Sequence, residues 1–149
     1  AKARKTVDEF VEDAVSKGAK VHEGPSTPNG DCYSRPLVLT DATRDMRVFS
    51  EEIFGPVAPV FTFKTDEEAI QLANDTEFGL ASYFYSKDVA RCWRIAEALE
   101  YGMVGINEGI ISNEMAPFGG VKESGQGREG SHHGLDDYLE IKSLTFGGI

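Results

Sequence analysis

Two runs of this 149-residue chain carry the side chains best suited to chemistry: Glu51-Glu52-Ile53-Phe54-Gly55-Pro56, and Pro117-Phe118-Gly119-Gly120-Val121-Lys122 continuing through Ser124-Gly125-Gln126-Gly127-Arg128-Glu129. Both set glycines, prolines and, in the first, a carboxylate pair between apolar stretches, where a plain connecting loop needs only turn residues and solvated charge. By residue type alone, Glu51 and Glu52 are a solvated charge run at a helix end and Phe54 is a core residue. Gly125 to Gly130 fits the dinucleotide fingerprint letter for letter. That fingerprint requires a strand before its first glycine and a helix opening within it, and the residues from Pro117 to Ser124 are loop-like, so the glycines are assigned to tight loop packing. Lys122 and Arg128 are read as structural, through ion pairs or backbone contacts, in preference to anion ligands. Cys32, in a turn-like setting, and Cys92, within a helical pattern beside Trp93, are read as free thiols without a catalytic role. His22, His132 and His133 lack metal-ligand spacing, and no metal is assigned.

These residues resemble the EEIFGP and PFGG-x-K-x-SG-x-G-RE signatures of the aldehyde dehydrogenase family, at about the separation that family shows. The resemblance covers nearly the whole chain and is strongest from Phe49 onward; Cys32 to Arg35 departs from the aromatic-acid-proline pattern of the family. It implies the C-terminal part of an NAD(P)-dependent enzyme, with NAD or NADP as cofactor. Glu52 would then grip the hydroxyls of the nicotinamide ribose and Phe54 would pack beside the same end of the cofactor. The family's cysteine nucleophile, which forms a thiohemiacetal before hydride leaves, falls upstream together with the general base and the dinucleotide-binding unit. No catalytic residue is therefore assigned here, and the fragment alone is expected to be inert. The run Asn107-Glu108-Gly109-Ile110-Ile111-Ser112-Asn113-Glu114, and more broadly the residues from Gly102 to Gly148, resemble the succinate-semialdehyde dehydrogenase subgroup. By that likeness Ser112 helps bind the distal carboxylate of a semialdehyde and Phe118 forms a wall of the substrate tunnel. A loop hydroxyl capping backbone is the plain alternative for Ser112.

The elements that would position these residues follow from periodicity. Val7, Phe10, Val11, Ala14 and Val15 lie on one helical stripe, with Thr6 and Glu9 as a capping box and Gly18 as the stop. A short strand over 20–22 precedes a turn region containing Gly24, Pro25, Pro28 and Asn29-Gly30. Tyr33 to Thr40 is a predicted strand, with Pro36 suggesting an edge. Val57 to Lys64 is a strand; Thr65 and Glu68 cap a helix that ends near Asn74-Asp75-Thr76; Gly79 to Ser86 is a strand; Asp88 to Leu99 is a helix with Gly102 as its stop; Met103 to Asn107 is a strand. This alternation predicts an α/β fold with an open, mainly parallel sheet flanked by helices, whose ligands gather beyond the carboxyl ends of the strands. Residues 1–138 would be the C-terminal part of the catalytic domain. Residues 139–149 would be an oligomerisation strand and tail, since the alternating Glu140 to Phe146 run has no obvious partner of its own.

The composition is that of a soluble globular chain able to bury a core. A net charge of −10 and a pI near 4.7 exclude a phosphate-binding surface of clustered Lys and Arg, hence nucleic acid and anionic membranes as partners. No apolar run reaches the length of a membrane span and no signal-peptide pattern is present. The expected setting is reducing, cytoplasmic or, in a eukaryote, the mitochondrial matrix. The opening without Met, straight into a helical pattern, fits a segment of a longer chain. Two rival assignments stand beside this one: a free-standing α/β binding or assembly module, and a dehydrogenase for another semialdehyde.

Overall fold

The computed structural model describes residues 2–26, 28, 30 and 32–148. The chain divides into two units, 1–64 and 65–149. The first opens with helix α1 (Lys2–Ser16), which buries Val7, Phe10 and Ala14 along one stripe. The predicted capping box is not formed. The helix begins four residues before Thr6, whose Oγ1 instead donates to the Lys2 carbonyl at 3.4 Å, the back-bonding available to a hydroxyl inside a helix. Gly18 ends the helix at φ +102, a conformation closed to most L residues.

Strand β1 (Lys20–Glu23) pairs antiparallel with β2 (Leu37–Thr40), which pairs in parallel with β3 (Val57–Pro59). Strand β2 is therefore the centre of the sheet, not its edge. Pro36 stands just before the ladder, where its missing N–H costs no pairing, and its carbonyl accepts from Gly24 N at 2.7 Å. Asn29 of the predicted turn region lies outside the described residues. Helix α2 (Arg47–Ser50), one turn long, was absent from the sequence expectation. The buried apolar residues Val7, Phe10, Ala14, Ala19, Leu39, Met46, Val48 and Val57 form one cluster wholly within this unit, with Ile53 and Phe61 packed against it. The strand expected from Val57 to Lys64 stops at Pro59, and Phe61 turns onto the core to meet Phe49 edge to face at 5.4 Å.

The second unit holds helix α3 (Asp66–Asn74), the short strand β4 (Phe78–Gly79), β5 (Ala81–Phe84), helix α4 (Val89–Ala98), β6 (Met103–Ile106) and β7 (Val121–Lys122), then a 3₁₀ helix over 133–138. Thr65 caps α3 by accepting from Glu68 N at 3.2 Å, and Asp88 caps α4 by accepting from Arg91 N at 3.0 Å, as their positions before apolar periodic runs require. Strands β5 and β6 pair in parallel through α4, the right-length crossover read from the sequence. Strand β4 pairs antiparallel with β7. The expected single sheet is thus three small ones, and β3 pairs with β2 rather than with a later strand.

The described residues of this second unit include no fully buried apolar side chain; Val89 is 71% and Trp93 67% exposed. The alternating run from Glu140 to Phe146 forms no strand in the chain, because no segment offers it a ladder, and Ile141, Leu144 and Phe146 are exposed. Among the described residues no helix is long and apolar enough to cross a membrane.

Polar ties replace the missing apolar core between α3 and α4. Asp66 accepts from Arg91 Nε and from Arg94 Nη2 at 2.9 and 3.0 Å. The Arg91 hydrogen bond, with its charge and that of Arg94, holds the Asp66 carboxyl below its ordinary value of 3.8. A depressed carboxyl stabilises the fold above its unfolded value and loses that contribution as pH falls through the folded value. Asp66→Asn is accordingly expected to lower the urea midpoint at neutral pH, with the gap to wild type closing below pH 3.8. Equal midpoints at neutral pH would contradict this.

Candidate functional site

The first signature is held at both ends by α1. At its start, Arg47 N donates to Asp13 Oδ2 at 2.8 Å, which fixes the entry to α2, and Lys17 Nζ reaches the other Asp13 oxygen at 2.9 Å. The Arg47 backbone hydrogen bond, then Lys17, keeps the Asp13 carboxyl below its usual range. The Arg47 guanidinium lies over the Phe10 ring at 4.7 Å and donates through Nε and Nη2 to the two Glu51 oxygens at 2.7 and 2.9 Å. This fork lowers the Glu51 carboxyl as well. At the far end, Gly55 approaches α1 so closely that a Cβ there would stand 2.3 Å from Val7 Cγ2. Pro56 O accepts from Leu37 N at 2.8 Å, tying the run to β2.

The carboxylate pair is thereby divided. Glu51 belongs to the scaffold, whereas Glu52 is exposed and makes no hydrogen bond or ion pair with any described residue. Phe54 is 84% exposed, so it is not the core residue that its type alone suggests. It borders a hollow of about 480 Å³ shared with Cys32, Tyr33, Ser34 and Pro56. Both cysteines are free, Cys32 exposed and Cys92 half-buried.

In the second unit the loop after β6 is braced by its own polar residues. Asn107, at φ +56, grips Ser86 with both ends of its carboxamide, accepting from Ser86 N at 2.8 Å and donating to Ser86 O at 2.7 Å. One Glu108 oxygen accepts from Gly109 N and Ile110 N at 2.8 and 3.2 Å. Asn113 Oδ1 accepts from Met115 N at 2.8 Å. Between these braces Ser112 is exposed and forms no hydrogen bond among the described residues, so it is not a hydroxyl spent on capping backbone. Phe118 is half-buried and bridges Glu129 through a pair of backbone hydrogen bonds of 2.8 and 2.7 Å. It lines a hollow of about 460 Å³ with Gln126, Arg128, Asp137 and Tyr138, and Ser112 is not part of that wall.

Lys122 and Arg128 are structural, as their setting suggested. Lys122 Nζ donates to the carbonyls of Asn74 and Thr76 and pairs with Glu100 at 2.7 Å, while Arg128 Nη1 donates to the carbonyls of Gly120 and Gly127. The glycine letters of the rejected fingerprint, Gly125, Gly127 and Gly130, all take positive φ in a loop without a helix opening there. Glu52 and Phe54 lie in the first unit, Ser112 and Phe118 in the second. Sequence reasoning missed the Arg47–Glu51 pair and the Asn107 clasp. The i,i+4 spacing of Arg47 and Glu51 was the available signal for the former.

Residues 1–144 match the aldehyde dehydrogenase family, and the chain belongs to it. Glutarate-semialdehyde dehydrogenase of Pseudomonas aeruginosa is 59% identical over 151 residues, covering 100% of this chain and 31% of that protein. Succinate semialdehyde dehydrogenase of Acinetobacter baylyi is 53% identical over 150 residues, covering 100% of this chain and 31% of its own length. The crystal structure of succinate-semialdehyde dehydrogenase from Burkholderia pseudomallei superposes with a TM-score of 0.90 at 58% identity, over 95% of this chain and 30% of that one. Betaine aldehyde dehydrogenase from Staphylococcus aureus, solved in complex with NAD+, does so with a TM-score of 0.85 at 39% identity, over 94% of this chain and 29% of that one. The chain thus spans about a third of the length of the curated relatives it matches.

Proposed function

We propose that this chain is the C-terminal part of an aldehyde dehydrogenase that oxidises a semialdehyde, succinate or glutarate semialdehyde, to the dicarboxylate with NAD or NADP as acceptor. The observation that carries this is the division of labour within the first signature, where Glu51 is spent on Arg47 and Glu52 stays unpaired beside the exposed Phe54. A free carboxylate can accept from two neighbouring hydroxyls, and a bare aromatic ring suits a flat partner, so the residues present fit the ribose and ring of a nicotinamide cofactor. When bound, such a cofactor supplies the hydride acceptor. Glu52 then orients the sugar, and Phe54 shields the same end from water. The cysteine nucleophile and the general base are assigned to the part of the enzyme outside this chain, which would also cover the exposed face of α4.

Ser112 supports the semialdehyde assignment, because its exposed hydroxyl has no hydrogen-bond partner among the described residues, while the nearby Glu108 and Asn113 side chains accept from the loop's own backbone. In the full-length enzyme Ser112→Ala is expected to lower kcat/KM for succinate and glutarate semialdehyde about 5- to 30-fold, a loss of about 1–2 kcal/mol for an unmatched carboxylate contact. A neutral aldehyde of similar length should lose less than about twofold. Equal losses on both would remove the substrate assignment.

Residues 139–149 are assigned to assembly. Their exposed Ile141, Leu144 and Phe146 suit a strand added to the sheet of another subunit in a homo-oligomer. Deleting 139–149 from the full-length enzyme should lower its oligomeric state in light scattering, and an unchanged mass would contradict the assignment.

A further inference from the structure

We infer, resting on the carboxylate role proposed for Ser112, that Asn107 is a positioning residue for substrate recognition: its side chain sets how the loop leaves β6 and thereby where the Ser112 hydroxyl stands. The parallel ladder of β5 and β6 ends at the pair Phe84 and Ile106. Asn107 N still donates to Phe84 O at 2.9 Å, but at φ +56 the backbone turns out of the strand, a conformation that asparagine enters more readily than most residues. A carboxamide offers an acceptor oxygen and an N–H donor, as a peptide group does, and here it replaces the next rung of the ladder. Its Oδ1 accepts from Ser86 N at 2.8 Å and its Nδ2 donates to Ser86 O at 2.7 Å. Ser86 is itself held at the entry to α4, where its Oγ accepts from Asp88 N at 3.2 Å. Beyond this root Glu108 turns the chain through Gly109 and Ile110. Half-buried Ile111 then comes back onto β6, so that a Cβ on Gly105 would stand 3.0 Å from Ile111 Cγ2 and 3.0 Å from Glu108 O. Ser112 follows directly, and its hydroxyl takes the place that the root and this return dictate. Without the clasp the turn at 107 hangs on one backbone hydrogen bond, and the exposed hydroxyl beyond it is no longer held in place to meet a substrate carboxylate.

The test uses the full-length enzyme and reads the ratio of kcat/KM for succinate semialdehyde to that for butanal, an uncharged aldehyde of the same chain length, with a thermal melt for each variant. Loss of folded protein lowers both terms alike and leaves the ratio where it was, whereas misplacing Ser112 lowers the first alone. Asn107→Gly keeps the left-handed turn accessible and removes the clasp. It should lower the ratio about three- to tenfold, through a raised KM for the semialdehyde with its kcat changed less than about twofold. Added to Ser112→Ala, it should lower the ratio less than about twofold further, because the hydroxyl it positions is already gone. Asn107→Asp, which keeps the acceptor and loses the donor, should lower the ratio about two- to fivefold. The inference is overturned by an Asn107→Gly ratio equal to wild type, or by losses of Asn107→Gly and Ser112→Ala that multiply in the double variant. If Asn107→Gly fails to fold, an Asn107→Asp ratio equal to wild type overturns it equally. Ser112→Ala serves as the separate control: an unchanged ratio there defeats the semialdehyde assignment itself, whatever the Asn107 variants do.

Discussion

Glu52→Gln in the full-length enzyme is expected to slow single-turnover hydride transfer by at least about 30-fold, or about 2 kcal/mol, while weakening cofactor binding less than about fivefold. The asymmetry follows from what the carboxylate can do. Most of a dinucleotide's binding energy is made elsewhere along its length, so one sugar contact contributes little to occupancy. On the proposed role the same contact would fix where the nicotinamide ring stands relative to the aldehyde carbon, and misplacement at the reacting atoms is what chemistry punishes most. Glutamine keeps the shape and one acceptor oxygen but loses the charge that lets two hydroxyls be held at once. Pre-steady-state measurement of NAD(P)H formation checks the rate, and fluorescence titration checks the affinity. A rate unchanged with affinity lost would assign Glu52 to binding alone.

The second large effect concerns the loop that carries Phe118. A Cβ on Gly102 would stand 1.9 Å from the carbonyl oxygen of Gly119 and 2.9 Å from its carbonyl carbon, and both obstacles are backbone. Gly102 N is also fixed to Gly79 O at 2.9 Å, and Phe118, next to Gly119, is bridged to Glu129 by backbone hydrogen bonds of 2.8 and 2.7 Å, so retreat on either side strains or breaks a backbone hydrogen bond. Gly102→Ala should therefore destabilise the fold by about 3 kcal/mol or more, at the upper end of what overpacking costs. Gly147→Ala, where nothing lies within 4 Å, is the matched control and should leave the denaturation midpoint unchanged. Equal midpoints for the two variants would show that the Gly102 to Gly119 approach is relaxed in solution.

Much of the local structure was legible because it depends on local rules. Helix α3 announced itself through the Thr65 and Glu68 cap, α4 through a helical run stopped by Gly102, and β5-α4-β6 through strand-length runs on either side of a helix. Where pairing decides, the chain alone was a poorer guide. Pro36 suggested an edge, yet a proline placed before the ladder is compatible with the central strand that β2 became. Thr6 and Glu9 had the spacing of a capping box, but nothing in four letters says that a helix has not already begun. The Glu140 to Phe146 run alternates correctly and forms no strand here, since alternation specifies a face and not a partner. The candidate site shows the same limit. Residue type alone put Phe54 in the core and could not separate Glu51 from Glu52; the separation depends on a one-turn helix too short to leave a periodic trace.

The central claim is that the Glu52 carboxylate holds the hydroxyls of the nicotinamide ribose. Its most direct test is a cycle that pairs Glu52→Gln with a cofactor analogue lacking those hydroxyls and reads hydride transfer in single turnover. If the claim holds, removing the hydroxyls slows wild type by about tenfold or more and slows Glu52→Gln hardly further, because the contact is already gone. Equal slowing of both proteins, with the two losses simply adding, would contradict it.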